Sequence, residues 1–186
     1  MKINRITAIK TLLGGVISLP VLGKNKQEKD LIGFKDEFIL AWKSSQEYTL
    51  KIYNQMPEDK MEWKYTPESF SWRTQFVHCI TFTTAQLAGR LNVANPHDAK
   101  EKKKDFWKNL SKTELEAEVN AFYAWVEKTV VETPAEKLSK IEGYAGGNIP
   151  IWRLFYALEN HIIHHRGQAI CYLRLNGITP TGYIGW

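Results

Sequence analysis

The chain has 186 residues, 44% hydrophobic and 24% charged, which fits one domain with its own core. No apolar run reaches the ~18–20 residues that a membrane-spanning helix needs. The net charge of +5 does not mark a nucleic-acid binder. Three of those five charges, Lys2, Arg5 and Lys10, lie in the first ten residues with no acid among them, leaving +2 for the rest. The one basic run, Lys102-Lys103-Lys104, is flanked by Glu101 and Asp105 and reads as a solvated loop or helix end.

Residues 1–23 join a basic start to a short apolar stretch, Thr11 to Leu22, that ends in small residues. A polar run from Lys24 to Asp30 follows. This pattern predicts a signal peptide and export, with residues 24–186 as a single domain. The alternative is an N-terminal arm of a cytoplasmic protein. Cys79 and Cys171 form no Cys-x-x-Cys and read as two small buried apolar residues.

Four helices are predicted in chain order. Leu31, Phe34, Phe38, Ala41, Trp42, Tyr48 and Ile52 recur at helical spacing over residues 30–54, and Pro57 ends the run. A second helix runs from Ser71 to Leu91, with Ser69 or Ser71 as its cap. Its stripe through His78 takes in Thr74, Gln75, Thr81 and Phe82. Asn92 to Lys104 reads as loop. Ser111-Lys112-Thr113-Glu114 is a capping box, and Leu115, Val119, Phe122, Val126 and Val130 carry a third helix to Thr133-Pro134. Gly143 to Pro150 reads as a break without a strand. The fourth helix runs from Ile151 to Leu175 and stops at Asn176-Gly177. Four helices without a convincing strand make an all-α four-helix bundle, with loops long enough for simple or crossover connections.

Three of the five histidines fall within His161 to Gln168. On a helix, His161 and His165 share one face a turn apart, where two imidazoles can converge on one metal ion. His78 on the second helix is the candidate third ligand. His164 is rotated off this face and reads either as a group supporting the ligands from behind or as rim. Gln168 and Tyr172 are candidates for the layer behind the ligands, where Gln168 could hydrogen-bond a ligand or bound water. Arg166 points away and reads as structural. His97, in a Pro-containing loop, reads as surface. Three histidines leave coordination positions open, as catalytic sites do. The stripes offer no carboxylate; Glu159 points roughly opposite to His161. This suits activation of a thiol better than carboxylate-assisted hydrolysis.

The run from His161-Ile162-Ile163-His164-His165-Arg166-Gly167-Gln168 through Asn176-Gly177-Ile178-Thr179-Pro180 resembles the C-terminal signature of the DinB-like (YfiT-like) family. Tyr65-Thr66-Pro67-Glu68-Ser69-Phe70-Ser71-Trp72, leading to His78, resembles that family's approach to its second helix. The resemblance spans about residues 30–186. It implies a four-helix bundle holding one divalent metal, zinc, nickel or manganese, on residues that match His78, His161 and His165. It also implies a small-molecule substrate, in some members a low-molecular-weight thiol, and a common tendency to form homodimers. The function expected is thiol transfer or metal-assisted hydrolysis; the alternative is a non-catalytic metal- or ligand-binding bundle. Export would weigh against the cytoplasmic thiols and favour the hydrolase or the binding protein.

Overall fold

The computed structural model describes residues 19–101 and 105–185. Apart from Leu19–Gly23, the leader read over residues 1–23 lies outside them, as does the run Lys102–Lys104. Four long helices carry the fold: α1 (Leu19–Gln55), α2 (Trp72–Leu91), α5 (Lys112–Glu132) and α7 (Ile151–Leu175). Three short helices, α3 (Asp98–Glu101), α4 (Phe106–Asn109) and α6 (Ala135–Leu138), lie in the connections.

The caps follow the sequence. Ser71 accepts a hydrogen bond from the Thr74 amide at the start of α2. Ser111 and Glu114 close the capping box of α5 in both directions, satisfying two amides that a helix start leaves orphaned. The apolar positions named for α1 and α5 are buried, and around Trp42 the core is aromatic. The Trp42 ring stacks on Phe38 with centroids 5.6 Å apart, and its indole Nε1 donates to the Tyr123 carbonyl at 2.9 Å.

Cross-helix bonds set the directions of the bundle. Along α1, Gln46, Tyr53 and Asn54 bond Asn120, Lys112 and Glu116, so α1 and α5 are antiparallel. Phe38 meets Phe155, while further along Ser45 and Thr49 meet Arg166, so α1 and α7 are parallel. Gln75 meets Tyr172 and Phe82 meets His161, so α2 runs against α7. The order is up-down-down-up. Only the α2–α5 connection has to travel back along the ~30 Å that a twenty-residue helix spans. The short helices α3 and α4 lie in that crossover.

Four expectations are corrected here. The segment read as a break over Gly143–Pro150 belongs to an antiparallel hairpin, β1 (Ile141–Tyr144) paired with β2 (Gly147–Pro150). Its turn holds Ala145 at φ 50° and Gly146 at φ 81°. The segment Asn92–Lys104, read as loop, contains α3. His97, read as surface, is 1% exposed and packs against Trp107 with ring centroids 5.3 Å apart. Proline and asparagine beside it gave a loop signal, but the crossover lies against the bundle and buries its own aromatic face. Cys79 is buried as expected, whereas Cys171 is exposed on the outer side of α7.

Candidate metal centre

His78 comes from the second turn of α2, and His161 and His165 from the middle of α7. The antiparallel seam between these helices brings the three rings together. Ring centroids lie 5.0 Å apart for His78 and His161, 4.8 Å for His78 and His165, and 4.6 Å for His161 and His165. One ligand-capable atom from each falls within 4.8 Å of the others. His165 is buried, while His78 and His161 are half-buried. His78 therefore sits at the edge of the core face of α2, not at its centre, and the site opens along the seam.

The proton positions follow from the hydrogen bonds. Gln75 gives both amide hydrogens away, to Gln168 Oε1 at 3.0 Å and to the Tyr172 hydroxyl at 3.1 Å. Its Oε1 is left to accept from His165 Nδ1 at 2.5 Å. A neutral His165 then carries its lone pair on Nε2, which faces His161 Nε2 at 3.1 Å. Burial, ahead of the neighbouring imidazoles, holds His165 down to about 3 and His161 down to about 4. Burial also lowers His78. All three are neutral at ordinary pH, the form that ligates.

This donor set fits a divalent ion. Two nitrogens ~2.1 Å from one ion, at an angle between octahedral and tetrahedral, stand about 3.1 Å apart, which is the His161–His165 separation. The buried His161 Nδ1 lacks a protein partner, so the polar contact of this ring within the fold is the one its Nε2 makes with His165. Among the described residues no Asp, Glu or Cys joins the cluster. Glu159 is buried on the far side of α7. There burial raises its carboxyl, opposed by Ser45 and Arg166.

The remaining expectations sort by contact. Tyr172 donates to the Phe70 carbonyl at 2.7 Å while accepting from Gln75, so it braces the group that braces His165. Gln168 joins Gln75 to His164, its Nε2 lying 2.7 Å from His164 Nε2. His164 itself is exposed. Arg166 turns towards α1 and donates to Ser45 Oγ at 3.0 Å and Thr49 Oγ1 at 3.1 Å, with Tyr48 under its guanidinium. Thr74, which helical spacing placed on the stripe through His78, is engaged by the Ser71 cap instead.

Two aromatic rings adjoin the site, Phe82 from the stripe that helical spacing drew through His78 and Phe70, which carried no periodic signal. Phe70 lies over the cluster, its ring nearly parallel to His165 at 6.1 Å and 5.2 Å from His78. Phe82 stands 4.5 Å from His161. Phe70 belongs to the connection before α2, where periodicity says nothing about what a side chain meets.

Fold and site together define a helical bundle with three neutral imidazoles converging across one helix seam. The family model of the DinB superfamily matches residues 41–169, and the chain belongs to that superfamily. Two solved structures share the fold. A DinB-like protein from Bacillus subtilis is 18% identical, with a TM-score of 0.60 over 80% of this chain and 97% of that one. A DinB-like protein from Bacillus cereus is also 18% identical, with a TM-score of 0.63 over 80% and 96%. No curated protein matches the chain.

Proposed function

We propose that the chain is a metal-dependent enzyme acting on a small molecule, with one divalent ion held by His78, His161 and His165. The observation that carries this reading is the approach of His161 Nε2 to His165 Nε2 in a seam that reaches solvent. Zinc, nickel or manganese there would supply Lewis acidity, lowering the pKa of a thiol or a water presented to it. The chain's own residues prepare that place. Gln75 keeps the His165 proton on Nδ1 and its lone pair inward. Phe70 and Phe82 narrow the approach and thin the water around the reacting group.

The cluster lacks a carboxylate to take a proton from water. A thiol begins near pKa ~8.5, far below the ~15.7 of free water, and needs less help to ionise. Thiol transfer is therefore the preferred reaction, with metal-assisted hydrolysis second. We read residues 1–23 as an export leader, and N-terminal sequencing of the native protein tests that separately.

The deciding experiment is metal analysis of protein purified without a chelator or a His-tag. About one ion per chain, lost in His78→Ala, His161→Ala and His165→Ala, supports the reading. A folded chain that takes up neither zinc, nickel nor manganese overturns it. Bound metal without turnover of any thiol-dependent or hydrolysable substrate would leave a binding protein.

A further inference from the structure

A second feature lies one helical turn beyond the histidines along α7. Tyr65, Gln168, Cys171, Tyr172 and Leu175 border an open surface hollow of about 270 Å³. None of them is an acid, a lysine or an arginine. Tyr65 and Leu175 stand at 57% and 63% exposure, which is high for apolar side chains facing a common hollow. Two of the walls, Gln168 and Tyr172, spend their polar ends on Gln75, so they turn those ends towards the histidines. The cavity and the histidine cluster are thus joined by one amide, with an uncharged lining on the cavity side.

We propose that this cavity is the subsite for the uncharged, aromatic or aliphatic body of the small molecule whose reacting end lies at the histidines. A charged group there would meet no counter-charge and would lose hydration without compensation. A neutral ring instead covers the exposed Tyr65 and Leu175, where contact with the Tyr65 ring adds to burial; the Tyr172 ring is itself buried beneath Tyr65. The volume suits a group of one or two rings and is too small for a folded partner. The position of the reacting end rests on the proposed metal centre; the cavity's preference for neutral, apolar groups does not.

Cys171 makes the cavity measurable, because its thiol lines the wall while Cys79 is buried and serves as an internal control. The experiment follows the rate of Cys171 alkylation by iodoacetamide in the full chain, with indole as the neutral probe and benzoate as a charged one of similar size. Indole is expected to slow alkylation saturably, by about fivefold in the millimolar range, and benzoate to leave it unchanged. Leu175→Asp, an exposed position where folding is insensitive, should abolish the indole effect. Equal slowing by benzoate, no slowing by indole, or protection that survives Leu175→Asp would overturn the proposal. So would an alkylation rate that falls with protein concentration alone, which would assign the hollow to a second copy of the chain. Cobalt loading separates this from the metal reading. Failure to load cobalt sinks the metal centre while indole protection stands, and loading without protection sinks the subsite alone.

Discussion

Gln75 on α2 holds the Nδ1 proton of His165 on α7 at 2.5 Å, across the seam where the three imidazoles meet. The bond decides which nitrogen of His165 is free. It is itself fixed, because the amide hydrogens of Gln75 are already given to Gln168 and Tyr172. Groups that orient a ligating histidine in this way typically contribute 10–100-fold in metal affinity. Gln75→Leu is therefore expected to weaken zinc binding by about that factor, measured by competition with a chromophoric chelator. Gln75→Glu, which keeps the acceptor, should retain wild-type affinity or exceed it. Equal affinity in the leucine variant would show that Gln75 only fills space.

His164 and His165 are adjacent in sequence and differ in role by exposure and direction. His165 is buried and meets His161, while His164 is exposed and bonds Gln168. His165→Ala should abolish stoichiometric metal uptake, and His164→Ala should keep it, both read by elemental analysis after gel filtration. Loss in both variants would mean that the crowded triplet binds metal at the surface and the seam does not.

Much of this was legible in the sequence, for a physical reason. Helical periodicity places His161 and His165 on one face with no knowledge of the rest of the fold, and capping chemistry marks Ser71 and Ser111. Periodicity assigns a face but not the neighbour that the face meets. Thr74 lay on the stripe through His78 and yet belongs to the Ser71 cap at the start of α2. The hairpin was hidden because four-residue strands are too short to show alternation against three nearby glycines. The crossover needed contacts between distant segments, and His97 was misplaced for the same reason.

Arg166 shows what the side of α7 away from the seam contributes. Its guanidinium is buried at 6% exposure and donates to Ser45 and Thr49, which no other cation in those contacts can replace. Arg166→Met leaves those hydroxyls and the nearby Glu159 in an apolar setting. The expected loss is about 2–3 kcal/mol in urea denaturation, since bonds to charged groups contribute ~1.5–3 kcal/mol, while Ser45 and Thr49 keep the Tyr123 hydroxyl as a partner. Metal stoichiometry should persist in the folded fraction. A loss below ~1 kcal/mol would mean that the cluster is hydrated and loosely held.

The hairpin turn carries local strain. Ala145 sits at φ 50°, a region where a β-carbon crowds the backbone, and the neighbouring Gly146 meets the same demand without one. Ala145→Gly removes that crowding but frees the unfolded chain, so the two effects partly offset. The net expectation is a gain of about 0.5–1 kcal/mol, read as a higher melting temperature. Ala145→Val should destabilise, because a branched side chain worsens the same contact.

His97 gives the chain a pH dependence remote from the three imidazoles. Burial, and then Lys100, push its pKa below the ordinary 6.5, while Glu118 pulls the other way. The folded state therefore holds fewer protons on His97 than the unfolded state as the pH falls below about 6.5. Stability from a neutral, buried His97 is present above that pH and is lost as the pH falls towards the depressed folded value. The test compares melting temperatures of wild type and His97→Gln at pH 7.5 and pH 5, in which the other histidines cancel. His97→Gln should cost stability at pH 7.5, where the neutral ring packs on Trp107. The deficit should shrink at pH 5, where only the wild type carries the penalty of a buried proton acceptor. A deficit that stays constant across this range would show that His97 keeps an ordinary pKa in the folded chain. A deficit that widens towards pH 5 would show that Glu118, 3.8 Å from His97 Nδ1, outweighs burial and holds the ring as a cation.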